Sequence, residues 1–204
     1  PNLLSSVLIA DQEKKRFMLE GTINACNSLF YWLEKELNIN HEDMHWHERC
    51  MDEKTNGIFI PGATGLAAPY WKSGLSMEKI GLENASKNET IRAAMESIGF
   101  LVHDIIKEMD LKDAIPNMLT ASGGGARAPL LQFIADMLMI PIGHISLKDR
   151  TAIGVLQLLH KKNTGNYLAV DMDCDEIFEP KINKVARTKK LKHWRNALAQ
   201  FGIQ

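Results

Sequence analysis

The residue pattern predicts an α/β domain built on a mixed sheet. Three observations carry that prediction. Two apolar runs, residues 3–10 and 16–21, flank the polar stretch "DQEKK" and read as a β-hairpin. Beyond them the apolar residues alternate between short continuous runs and helical spacing, the order of an α/β chain. The clearest helix, residues 89–110, repeats Met95, Ile98, Val102, Ile105, Ile106 and Met109 at intervals of three and four.

The elements follow in order. From residue 24 to 37 the period is helical, with Phe30, Leu33 and Leu37 on one face and Glu34 and Lys35 on another. A polar, histidine-rich connector comes next. "GIFIPGATG", residues 57–65, is an apolar strand entering a glycine-rich turn. After the long helix, "NMLTASGGGARAP" supplies a short strand, a glycine loop and a helix opening near Pro129, where the missing proline N–H costs nothing. Leu130, Leu131, Ile134, Met137 and Leu138 form that helix's buried stripe. "IPIGHIS" is another strand and "RTAIGVLQLLHKK" another helix. The tail, residues 181–204, is basic and ends in a helix around Trp194. No internal repeat or low-complexity linker divides the chain, so residues 1–204 read as one domain.

Composition excludes several functions. Apolar residues make up 45% of the 204, enough to fill a core, and the formal net charge of -1 offers no basic field for nucleic acid or an anionic membrane. No apolar run approaches the ~20 residues of a membrane helix. Cys26, Cys50 and Cys174 are odd in number and lack a C-x-x-C pair, which favours a reducing, cytoplasmic setting. The N-terminus has no basic lead before its apolar run, so it does not read as a signal peptide. The chain begins with Pro1, so either an initiator was removed or this is a piece of something longer.

Four patterns are candidates for chemistry. His41-Glu42-Asp43-Met44-His45 fits H-E-x-x-H, with His47 and Cys50 close behind. That motif holds zinc only when both histidines lie one turn apart on a helix anchored by a buried face. Met44 and Trp46 are the only apolar residues between Ile39 and Met51, so a solvated connector is expected instead. "TASGGGARAP" is the second. A glycine loop between a strand and a helix N-terminus lets backbone approach a phosphate or nucleoside closely, and three glycines exceed what a turn requires. It matches neither the dinucleotide fingerprint nor the P-loop. "PGATGLAAPYW" is the third and reads as a structural loop. The isolated titratable groups are the fourth. Cys26 and Cys174 read as ordinary thiols, His103 and His144 as core or surface histidines, and Glu96 and Asp104 as a solvated helix face.

Taken in order, "FMLEG", "YWLEKEL", "TNGIFIPGATGLAAPYW", "IRAAMESIGFLVHDIIKEM", "SGGGARAPLLQFIADML", "DRTAIG" and "IFEP" resemble the C-terminal half of the FGGY carbohydrate kinases. "GLAAPYW" is most similar to the glycerol kinases, while the triple glycine with Ala126 and Arg127 is closer to xylulose kinases. In that family the histidine segment is a variable connector, which makes its H-E-x-x-H match a coincidence.

The resemblance implies a ribonuclease H-like, actin-like ATPase fold, with ATP and a sugar or polyol held between two such domains. It implies that Ser122, Gly123, Gly124, Gly125 and Ala126 hold adenine and ribose. Asn27 and Tyr31 match the phosphate-side helix, where the family often has glycine and glutamine; Ser122 stands where glycerol kinases often have aspartate. Mg²⁺ and a small polyol or sugar are the implied cofactor and substrate, and homodimers are frequent. The acceptor pocket, the general base and the first strand of the C-terminal domain match nothing here. No catalytic residue is therefore assigned to this chain. The hairpin and the "GIFIP" strand are expected to face each other across the gap left by the missing strand, and the chain to need the N-terminal kinase domain to act. Two alternatives are a catalytically inactive, kinase-like interaction module and a xylulose-type sugar kinase.

Overall fold

The computed structural model describes residues 2–10, 14–109, 116–147, 149–170 and 173–203. Strand β1 (Leu4–Ala10) pairs antiparallel with β2 (Lys15–Glu20), with a register shift between Val7 and Ile9. Helix α1 (Asn27–Glu36) buries Leu29, Phe30 and Leu33. A single 3₁₀ turn (His41–Asp43) and the short helix α2 (Trp46–Cys50) form the connector. Strand β3 (Ile58–Pro61) is buried along its length and pairs antiparallel with β4 (Met77–Ile80).

Helix α3 (Lys87–Glu108) starts where Ser86 accepts a hydrogen bond from the Glu89 amide at 3.0 Å, a capping contact that satisfies one of the helix's orphan donors. The sequence pattern alone places the start two residues late because Lys87 and Asn88 precede the apolar stripe. The pattern's far end, Asp110, lies outside the described residues. Strand β5 (Leu119–Ser122), helix α4 (Ala128–Leu138), strand β6 (Ile142–Ile145), helix α5 (Arg150–Thr164), strand β7 (Glu176–Phe178) and helix α6 (Lys184–Gln200) complete the chain. β5 and β6 are parallel and β7 is antiparallel to β6, so this sheet is mixed as expected. β4 and β7 are absent from the sequence reading. They are three or four residues long, too short to show a period.

Helix α3 is the axis of the core. Phe100 stacks on Trp194 of α6 at 5.1 Å and meets Phe133 of α4 edge-on at 5.1 Å. The helix is covered by α1, α2, α4 and β3, and α6 closes the remaining side. Glu96 and Asp104 therefore do not form a solvated face. Both are buried, and each is surrounded by donors, as buried polar groups must be. Glu96 is ion-paired to Arg92 at 2.9 Å and Lys190 at 2.7 Å. Asp104 accepts from Tyr70 Oη and Trp194 Nε1, both at 2.6 Å, and lies 2.9 Å from His103 Nδ1. The Tyr70 bond fixes the loop after β3. There the Trp71 indole also donates to the Asn2 carbonyl at 2.8 Å, in keeping with a structural loop. Burial, and then the neighbouring Asp104, push the Tyr70 phenol well above its ordinary range.

The strands form three separate sheets among the described residues: β1–β2, β3–β4 and β5–β6–β7. β3 pairs with β4 in a two-stranded sheet of its own and is not joined to the hairpin among the described residues, and β5, at the end of the three-stranded sheet, keeps an unpaired edge as well. The hairpin shows apolar side chains to solvent on both faces, with Val7 53%, Leu8 54% and Phe17 61% exposed. Val155, Leu156, Leu158 and Leu159 of α5 are about half exposed as well. No helix among the described residues is long and apolar enough to cross a membrane.

Candidate functional site

The glycine loop lies where β5 hands over to α4. Gly123 has φ +91°, a conformation that side chains rarely adopt. The Ala126 amide donates to the Gly123 carbonyl at 3.0 Å and the Arg127 amide to the Gly125 carbonyl at 2.9 Å, closing a tight turn. The Leu130 and Leu131 amides then donate to the Arg127 carbonyl, both at 3.0 Å, and open the helix, with Pro129 in its first turn.

Because β5 and β6 run parallel, their carboxyl ends open on the same side, the usual place for a ligand crevice in such sheets. There Ser122, Gly123, Gly124 and Ala126 face His144, Ser146 and Thr151 across a cleft of about 650 Å³. Arg127 and Arg150 bring positive charge to it, and the α4 N-terminus adds its own dipole. The turn after β6 is pinned, since the Ser146 amide donates to Asp175 Oδ2 at 2.6 Å. That bond holds the Asp175 carboxyl below its ordinary range.

A second cleft, of about 260 Å³, lies on the other flank of the loop. Gly124 and Arg127 border it too, opposite Asn27 and Tyr31 at the start of α1. Of the seven residues singled out from sequence, Asn27, Tyr31, Ser122, Gly123, Gly124 and Ala126 thus border one or both clefts. Gly125 instead turns toward α1, where an added Cβ would lie 3.3 Å from Cys26 Sγ. Burial raises the Cys26 thiol above its ordinary range, which favours its neutral form. Sequence reasoning missed Arg127, His144, Ser146, Arg150 and Thr151 as lining residues. "DRTAIG" contains Arg150 and Thr151 and Arg127 directly follows the loop, but only the parallel β5–β6 pairing brings His144, Ser146, Arg150 and Thr151 to the same cleft as the glycines.

Gly124 differs from its neighbours. An added Cβ there meets no protein atom within 4 Å, and its φ is not positive. Neither packing nor backbone strain requires glycine at this position, and it borders both clefts. The open space beside its Cα is what a closely approaching planar ligand would use.

The histidine connector is not the solvated loop expected from its polarity. Met44 and Cys50 are buried, and Trp46 stacks on Phe30 of α1 at 4.4 Å with planes 5° apart. Arg49 donates to the Asp43 and Met44 carbonyls and to Asn88 Oδ1 at 2.9 Å. Three anchors spaced around a short turn replace the continuous apolar stripe that a longer helix would need. The H-E-x-x-H match nevertheless fails as a zinc site. His41 lies in the 3₁₀ turn, while His45 has φ +27° and precedes α2, so the two do not share a helical face. No cluster of three potential metal ligands occurs among the described residues.

Residues 2–159 match the C-terminal domain of the FGGY family of carbohydrate kinases. The chain is 30% identical to glycerol kinase 1 of Thermotoga maritima over 222 residues, covering 98% of this chain and 44% of that protein. It is likewise 30% identical to the glycerol kinase of Thermoanaerobacter pseudethanolicus, covering 96% of this chain and 41% of that one. It spans less than half the length of these relatives. Among solved structures, Plasmodium falciparum glycerol kinase with ADP superposes at a TM-score of 0.83 and 25% identity, covering 99% of this chain and 42% of that one. A ligand-bound xylulose kinase from Lactobacillus acidophilus superposes at 0.75 and 21% identity, covering 97% and 42%, and shares the fold. The two-cleft glycine loop thus sits in a ribonuclease H-like, actin-like domain, and the chain belongs to the FGGY family of carbohydrate kinases.

Proposed function

We propose that this chain is the nucleotide-binding side of a two-domain kinase that transfers the γ-phosphoryl group of ATP to a hydroxyl of a small polyol or sugar, glycerol foremost. The observation that carries the reading is Gly124, a glycine the fold does not need, bordering both clefts and leaving room for a ligand. In this reading the glycine loop admits adenine and ribose at backbone distance, with Ser122 and Ala126 at its ends. Asn27 offers a side-chain amide, and Arg127 and Arg150 neutralise phosphate charge. ATP supplies the phosphoryl group, and the chain's own task is to hold and orient it, which is most of what catalysis of such a transfer requires. Mg²⁺ would ride mainly on the phosphates, as it does in many kinases. The described residues offer no three-ligand cluster for it, so no step is assigned to the ion.

The acceptor pocket and general base belong, in this proposal, to a preceding domain, and the whole works in the cytoplasm. The same proposal accounts for the unpaired edges of the hairpin and β5. A further strand between them would join two of the three sheets and cover apolar side chains now exposed on β1, β2 and α5. A second reading, a catalytically silent interaction module, is favoured by Tyr31 and Ser122, which depart from the family pattern at the cleft. Intact mass spectrometry of the native protein, followed by phosphotransfer assays with glycerol and D-xylulose, tests both. A product of about 500 residues that phosphorylates glycerol supports the kinase. A native protein of this chain's length without phosphotransfer supports the silent module.

A further inference from the structure

Helix α6 lies beyond the residues 2–159 that match the family's domain, and none of its residues borders either cleft. Its charge is strongly one-sided. Residues 181–204 hold seven of the chain's 24 lysines and arginines and none of its 25 acidic residues, which leaves 17 cations against 25 carboxylates elsewhere. We propose that the outward face of α6 is a docking surface for an acidic segment of a partner protein, with Val185 as an apolar anchor and Lys189, Lys192 and Arg195 as a cationic track for its carboxylates. The proposal does not depend on the nucleotide reading.

The face is fixed by the side opposite to it. Leu191, Trp194, Ala197 and Leu198 are buried, and the Trp194 ring stacks on Phe100. The Asn183 side chain accepts from the Ala186 amide at 2.9 Å and caps the helix. Two of the seven cations serve the fold: Arg187 donates to the Met137 carbonyl at 2.7 Å, and Lys190 pairs with Glu96. Lys184, Lys189, Lys192 and Arg195 are exposed and have neither a side-chain hydrogen bond nor an ion pair among the described residues. At 3.6 residues per turn these four and Val185 fall within roughly 140° of the helix circumference, along about 16 Å of its length. Val185 is 80% exposed, an apolar side chain set among cations.

This arrangement works against the helix itself. Lys189, Lys192 and Arg195 follow one another at intervals of three, so like charges meet on successive turns. Lys184 stands in a first turn that holds no acidic residue, where the dipole disfavours a cation. A merely solvated face would lose both costs by mixing in glutamates. Carboxylates from a partner offset both at once. Nucleic acid fits less well, because the carboxylates elsewhere on the chain repel a long polyanion and so few phosphate contacts bind weakly. A bilayer fits less well too, since a helix lying on a membrane buries a broad apolar face and this one offers a single valine. An acidic peptide with one apolar side chain matches both the charge and the anchor.

The test is a fluorescence-anisotropy titration of the full-length protein. The probes are a labelled peptide of glutamates around one leucine, the same peptide with alanine in place of leucine, single-stranded oligothymidylate, and vesicles of phosphatidylcholine with phosphatidylserine. The leucine peptide should bind more tightly than the other three. The triple variant Lys189→Gln, Lys192→Gln, Arg195→Gln should weaken it roughly tenfold. Val185→Ser should weaken it roughly fivefold and leave the alanine peptide unchanged. The triple variant should melt no lower than the unsubstituted protein, because repulsion has been removed, and should bind ADP equally well. A leucine peptide that does not bind, or that binds the triple variant as tightly, overturns the docking surface. Equal binding of the two peptides overturns the anchor. Tighter binding of oligothymidylate or of the vesicles overturns the choice of an acidic protein segment. A triple variant that melts lower shows that these cations serve the fold, and overturns the proposal as well.

Discussion

Substitutions at two adjacent glycines should separate ligand space from fold geometry. At Gly124, valine adds a side chain into open space: no protein atom lies within 4 Å of the added Cβ, and the backbone is not in the left-handed region. Its effect on stability should stay within about 0.5 kcal/mol, the range of an unremarkable surface change. The same side chain would occupy the space where the proposed nucleotide meets the loop. Displacing a planar ligand from close backbone contact should reduce ADP affinity at least 100-fold, about 2.7 kcal/mol. At Gly123 the reverse holds. An added Cβ also meets nothing within 4 Å, but φ is +91°, so a side chain strains the backbone itself. Gly123→Val should cost about 1–3 kcal/mol of stability. For a domain of this size that is a fall in melting temperature of roughly 2–12 °C. Thermal denaturation and ADP titration on both variants constitute the assay. A Gly124→Val protein that binds ADP as the unsubstituted protein does would refute the argument that the glycine serves a ligand. A Gly124→Val protein that melts like Gly123→Val would refute the claim that the fold does not need it.

Other outcomes follow from the core and the thiols. Asp104→Ala removes the acceptor shared by Tyr70 and Trp194 and should cost about 3 kcal/mol, because buried donors are then left unpaired. Chemical denaturation measures it, and a change below about 1 kcal/mol would show that water takes the carboxylate's place. Burial pushes the Cys50 thiol up to about 12, so iodoacetamide at pH 8 should label it only after unfolding. A folded pKa above the unfolded one means that this thiol's contribution is intact below the unfolded value and lost as pH rises. Between pH 9 and 10 stability should therefore decline by up to about 1.4 kcal/mol per unit from this group. Cys50→Ala should flatten that decline, and an unaltered slope would reject the assignment. Finally, elemental analysis of the purified protein should find no stoichiometric zinc; one zinc per chain would reinstate the histidine motif.

The long amphipathic helix, the hairpin and the glycine loop between strand and helix are legible in the residues. Each is specified locally, by apolar period or by the backbone freedom of glycine. The family follows from motifs in fixed order, because such motifs encode local turns and packing steps. Other features depend on neighbours far along the chain. Glu96 and Asp104 look solvated by their polarity and are buried, because their donors Arg92, Lys190, Tyr70 and Trp194 come from three separate regions. β3 finds its partner in β4, a run of four residues too short to register as a strand. The connector looks like a loop or a zinc helix. In the fold it is a fixed wall, held by one stacked ring, one arginine and two buried side chains. Asn27 and Tyr31 lie almost a hundred residues before the glycines, and only the approach of the start of α1 to the glycine loop brings them to one cleft. Sequence by itself determined which segments could be helix, strand or tight turn, since those choices are made over a few residues. Tertiary structure decided which polar groups are buried and which side chains share a cleft, since burial and proximity are set by distant parts of the chain.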